Sequence, residues 1–139
     1  MEVIGAVSSV VALVEATSRL ATGLTHLAQR WHNAPEEIRA LADATENLAI
    51  KFAYARDTVT TAPTTLVDSV TRDGLVQLVA KANVANSELG TLRTRLESYD
   101  TIFQRAKWAV KDAKAAKTAL ATTKDIEEAL AVWTSFISL

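Results

Sequence analysis

The chain has 139 residues, nearly half of them apolar, a formal net charge of −1 and no cysteine. That length fits one domain with a single core, the apolar content excludes a disordered chain, and the near-neutral charge argues against a general nucleic-acid binder. The lack of cysteine removes disulfides, thiolate catalysis and Cys-ligated zinc together and is compatible with a reducing cytosol, while four glycines and two prolines are too few for the turns of a β fold, so the expected class is all-α.

Residues 3–14 carry no charge and are closed by Glu2 and Glu15. They do not read as a secretory signal, because Glu2 is acidic and the first basic residue is Arg19. A run of twelve uncharged residues is also shorter than the roughly 18 to 20 that a bilayer core requires. Further on, Leu13, Leu20, Leu24, Leu27 and Trp31 follow at spacings of seven, four, three and four, one face of a helix. Ser8, Glu15, Arg19, Thr22, His26 and Gln29 form a second, polar stripe. An element apolar nearly all round, as this one is at its start, is either buried on every side or meant for lipid. The residues alone leave both readings open.

This first helix is expected to end near His32. Asn33 then offers a cap, Pro35 suits a first turn, and Glu36 and Glu37 suit the helix N-terminal dipole. The second helix has Ile38, Leu41 and Ala42 on its inner face, an interruption at Thr45, then Leu48, Phe52 and Ala55. It fades near residues 57–60. Residues 60–65, with four threonines and Pro63, read as a loop. A third helix starts at Asp68 or Asp73 and runs to Ser98, with Leu75, Leu78, Val79, Ala82, Ala85, Leu89, Leu92 and Leu96 at helical spacing. Gly74 and Gly90 are weak spots, each costing on the order of 1 kcal/mol relative to alanine in a helix interior. Asp100 or Thr101 can cap a short fourth helix over residues 102–110. Residues 111–122 favour helix but hold one large apolar residue, Leu120, and Thr122 with Thr123 reads as a break. A last helix follows with Ile126, Leu130, Trp133 and Ile137 inside. The expected fold is thus a compact bundle of about five helices with an apolar N-terminal helix. The ending at Phe136, Ile137, Ser138 and Leu139 has no polar tail, which suggests a domain of a longer protein.

Two places together resemble a known family. The opening, Met1-Glu2-Val3-Ile4-Gly5-Ala6-Val7-Ser8-Ser9-Val10-Val11-Ala12-Leu13-Val14, is similar to the start of HeLo-like domains, the N-terminal domains of fungal STAND receptors. Their Ser-, Val- and Ala-rich first helix begins almost at the initiator methionine. The stretch Arg105-Ala106-Lys107-Trp108-Ala109-Val110-Lys111-Asp112 is similar to the family's Lys-Trp-Ala box. The resemblance covers essentially the whole of residues 1–139 as one domain. One departure is visible: the family passes quickly from that box into its long final helix, whereas residues 113–123 here look like extra length.

The resemblance implies a cytoplasmic signalling domain of fungal innate immunity and heterokaryon incompatibility. Such a domain causes programmed cell death by oligomerising, moving to the plasma membrane and attacking it with its first helix. It implies a downstream domain in cis, either a nucleotide-binding module or an amyloid-forming segment, and no such phosphate-binding loop lies in these residues. On this reading Val3, Ile4, Val7, Val10, Val11, Leu13 and Val14 enter lipid, and Ser8, Glu15 and Arg19 form the polar face. Residues 105–124 carry six bases against one acid, Asp112. Their Lys107, Lys111, Lys114 and Lys117 are candidates for contact with anionic lipid headgroups, at about 1 kcal/mol per charge near the surface, or else form a solvated helix face.

Elementary energetics make insertion conditional. The eight Val, Ile and Leu residues between positions 3 and 22 favour a membrane centre by about 2 to 5 kcal/mol in sum, and Glu15 and Arg19 oppose it by up to roughly 3 kcal/mol each. A single helix is near break-even. Several copies that turn Ser8, Glu15, Arg19 and Thr22 toward a shared polar interior change the balance, and Glu15 with Arg19 at i and i+4 can pair. Trp31, Trp108 and Trp133 read as core anchors or as interfacial seats. His26 and His32, six apart, lie on different faces, so no metal pair is expected, and no cofactor. No nucleophile and base can be assembled, so no catalytic residues are expected either. The competing reading is a non-lytic adaptor, in which the same bundle pairs with itself or with a downstream receptor domain and the first helix stays in the core.

Overall fold

The structure, a computed structural model, describes residues 2–30, 35–61, 69–98 and 112–137. Among these, four helices and no strand occur: α1 Glu2–Arg30, α2 Glu36–Thr61, α3 Ser69–Glu97 and α4 Ala113–Ile137. The all-α expectation holds, with four described helices rather than about five. The short helix expected over residues 102–110, with the Lys-Trp-Ala box, lies outside the described residues, as do Trp31, Asn33 and residues 62–65 of the expected threonine-rich loop, whereas Thr60 and Thr61, placed in that loop by sequence, are the last residues of α2.

Each helix is set by its apolar spacing. Leu13, Leu20, Leu24 and Leu27 of α1 are all buried, as are Ile38, Leu41, Ala42, Leu48, Phe52 and Ala55 of α2. The eight α3 residues at helical spacing, from Leu75 to Leu96, are buried too. α2 begins where expected: the Pro35 carbonyl accepts from the Ile38 and Arg39 amides, and Glu36 and Glu37 fill the first turn.

α1 packs on α2 and α3, and α4 packs on the same two, so α1 faces α4 across one diagonal of a square and α2 faces α3 across the other. Two core clusters fix the directions. One joins Val10, Leu13 and Val14 of α1 to Leu48, Phe52 and Val59 of α2, Leu75 to Ala85 of α3, and Ile126, Leu130 and Trp133 of α4. The other joins Leu20, Leu24 and Leu27 to Ile38 and Leu41, Leu89 to Leu96, and Ala116 and Ala119. The chain therefore runs up, down, up, down. Between the two clusters each helix contributes one buried polar residue: Thr17, Thr45, Asn86 and Thr123. They form a polar waist.

Two local expectations are corrected. Thr45 does not interrupt the inner face of α2; it is fully buried and its hydroxyl donates to the Leu41 carbonyl at 2.7 Å. Thr122 and Thr123 do not break the chain. Their hydroxyls donate back to the Thr118 and Ala119 carbonyls at 3.0 and 2.8 Å, a bond compatible with helix. Residues 113–123, which by sequence looked like extra length ahead of the final helix, are the first part of α4.

Candidate functional site

The polar stripe of α1 lies where its spacing places it. Ser8, Glu15, Arg19, Thr22, His26 and Gln29 are all exposed. Arg19 and Glu15 approach to 3.8 Å with side chains 79% and 66% exposed, a pair that contributes at most about 0.5 kcal/mol in water.

The candidate lipid-entering residues divide. Val10, Leu13 and Val14 are sealed in the first core cluster and Val7 packs against it. Val11 is 36% exposed on the outer side. The side chains of Val3 and Ile4 lie outside the described set. From Val7 onward α1 has a buried side and an exposed side, and within residues 7–14 the exposed side is Ser8, Ser9, Val11 and Ala12. No described helix is long and apolar enough to cross a membrane.

The contact between α1 and α3 differs from the rest of the core. Asn86 Nδ2 donates to Thr17 Oγ1 at 2.9 Å in a buried cross-helix bond, and Asn86 Oδ1 has no partner. Two glycines sit on this seam. A Cβ at Gly23 would lie 2.5 Å from the Arg93 guanidinium, and one at Gly90 would lie 3.9 Å from Leu20. Pairings of 17 with 86, 20 with 90 and 23 with 93 also show that the two helices run parallel.

On the basic side, Lys114 and Lys117 are exposed on α4, as is Lys124; Lys107 and Lys111 lie outside the described residues. The one acid of this basic segment is turned inward. Asp112 is fully buried and accepts from Arg95 Nη1 at 2.6 Å, which ties the end of α3 to the start of α4. Residues 113–124 hold no acid, so their lysines form a cationic stripe.

These two parts are not brought together. The apolar half of α1 belongs to the first cluster, and Lys114 and Lys117 of α4 flank the second, at the opposite end and across the diagonal. Sequence reading also missed Ile50 and Tyr54, exposed large apolar residues on α2. Their signal was present: both are out of phase with Leu48, Phe52 and Ala55.

Among the described residues no group of three or more His, Asp or Glu is placed to hold a metal. No protein family, curated protein or solved structure matches this chain.

Proposed function

We propose that this domain is a membrane-directed, cell-death-inducing effector of the pore-forming type, non-enzymatic, stored in the cytoplasm with α1 docked and activated by oligomerisation at anionic plasma-membrane lipid. The observation that carries the reading is the division of α1. One continuous helix has Val10, Leu13, Val14, Leu20, Leu24 and Leu27 on one side and Ser8, Glu15, Arg19, Thr22, His26 and Gln29 on the other. Such a helix is stable against a bundle. It is equally suited to line a shared polar interior when several copies meet in lipid. The resemblance to HeLo-like domains, carried by residues 1–14 and 105–112, supports the same reading. The opposite placement of α1's apolar half and the α4 lysines adds a requirement: both reach one bilayer only after α1 leaves its site.

A second reading, a non-lytic adaptor that binds its own kind or a downstream domain in cis, is favoured by the closure of Val10, Leu13 and Val14 in the core. Dye leakage from anionic liposomes separates the two. The chain fused to a trimeriser is expected to leak dye while the monomer does not. Deleting residues 2–6 keeps every side chain of the core clusters and shortens the lipid-entering run, so leakage is expected to fall with the circular dichroism unchanged. Glu15→Gln in the same trimer alters leakage and keeps the fold. A folded trimer that leaves both anionic and neutral liposomes intact contradicts membrane attack and leaves the adaptor reading.

A further inference from the structure

The outer side of α2 carries a feature that helix release does not use. Ile50 and Tyr54, one turn apart, are 61% and 58% exposed. Ile50 borders a groove of about 380 Å³ between α1 and α2, whose floor is Ala21, Ala49 and Ala53. An alanine floor lets a docking helix approach closely, because interaxial distance follows side-chain size at the contact. Glu46 lines one end of this groove, and Asp43 is exposed one turn before it. Arg39 is the one exposed cation of α2; Lys51 is held by Glu127 at 2.7 Å and Arg56 by Asp57 at 3.1 Å.

α4 presents the complement. Lys117 and Lys124 are exposed, and Val132 is 71% exposed beyond them. Lys124 precedes Val132 by eight residues and Glu46 precedes Tyr54 by eight, about 12 Å along a helix in each case. The order acid then apolar on α2 matches the order base then apolar on α4, read in the same direction. Each face also carries charge of the opposing kind, Arg39 on α2 and the exposed Asp125 and Glu128 on α4. In this register Arg39 falls opposite Lys117, and the exposed Glu128 falls opposite Ile50. Asp43 follows Arg39 by one turn, within reach of the long Lys117 side chain.

We infer that a second copy of this chain lays the outer face of its α4 along α2. Lys124 of one copy meets Glu46 of the other, Lys117 reaches Asp43, and Val132 meets Tyr54 beside Ile50. The two halves of the contact are on different helices, so a pair keeps one free face of each kind, α2 on one copy and α4 on the other. Association is therefore head-to-tail and continues beyond a dimer. The inference rests on the proposed function only for why self-association is useful; the surface is argued from charge and shape.

Sedimentation velocity of the full chain over a concentration series tests it without lipid. Association is expected at low salt and is weakened by high salt, because exposed charges are screened. Asp43→Lys with Glu46→Lys, and separately Lys117→Glu with Lys124→Glu, each weaken association at least about tenfold. Tyr54→Ser weakens it without changing charge. Arg39→Ala strengthens it, because the charge facing Lys117 is removed. An equimolar mixture of the two charge-reversed chains regains association, because each reversed face meets its complement. Circular dichroism checks that every variant is folded. A chain that stays monomeric at every concentration overturns the inference and leaves the α2 face to another partner. Reversed chains that associate like the parent, or a mixture that does not recover, overturn it as well. Leakage from the trimeriser fusion does not depend on this surface. Leakage without self-association therefore removes only this inference, and self-association without leakage removes only the membrane reading.

Discussion

At Asn86 the bundle holds a buried amide with one half satisfied. Its Nδ2 is bonded to Thr17 Oγ1 and its Oδ1 is not bonded. An unpaired buried polar atom costs about 1–3 kcal/mol, whereas removing both partners of a buried bond is nearly neutral. Thr17→Val is expected to lower stability by about 1–3 kcal/mol, because it also strands Nδ2. Thr17→Val combined with Asn86→Leu is expected to recover most of that loss in urea unfolding; two additive losses would contradict the pairing. The glycines give a second contrast. Gly90→Ala meets only Leu20 at 3.9 Å and is expected to stabilise α3 by about 0.5–1 kcal/mol. Gly74→Ala meets Trp133 at 3.3 Å. That indole is buried and pinned by its Nε1 donating to the Thr71 carbonyl at 2.9 Å, so the methyl has no room and the melting temperature is expected to fall.

At the scale of the element, α1, α2 and α3 were legible because burial follows period. An inward Leu or Ile at i, i+3, i+4 and i+7 leaves the same signature in the chain as in the fold. The start of α4 was not legible for two reasons. Threonine scores poorly by propensity, yet a hydroxyl bonded to the carbonyl four residues back lets it sit in a helix, even in the core at Thr123. The bond from Arg95 to Asp112 joins residues 17 apart in the chain, and nothing local announces it. Asp112→Ala removes the buried partner of Arg95, itself about half exposed. The expected loss is about 1–3 kcal/mol, less than for a fully buried pair. It should appear first as faster amide exchange at the start of α4. Unchanged protection there, with unchanged stability, would show that the pair does not hold α3 to α4.

For the whole molecule, the question the uncharged run left open was whether it is stored or inserted. Val10, Leu13 and Val14 are stored, along with Leu20, Leu24 and Leu27. Exposing these six side chains to water costs about 9–18 kcal/mol at about 1.5–3 kcal/mol apiece. That matches the whole stability of a typical domain, about 5–15 kcal/mol. On the proposed reading α1 therefore does not leave unaided, and oligomer contacts and lipid offset the loss. The easier side to open is the seam with α3, where Gly23, Gly90 and the half-satisfied Asn86 replace apolar packing. This part of the candidate site could not be read from the chain, because Thr17 and Asn86 are 69 residues apart.

That seam offers the most direct test of the central claim, that α1 must leave the bundle to act. The chain has no cysteine, so Thr17→Cys with Asn86→Cys allows a single disulfide tying α1 to α3, verified by mass. In the trimeriser fusion, liposome leakage is predicted to be absent while this bond is oxidised and to appear on reduction, with helix content the same in both states. Leakage as strong from the oxidised trimer as from the reduced one would contradict the release of α1.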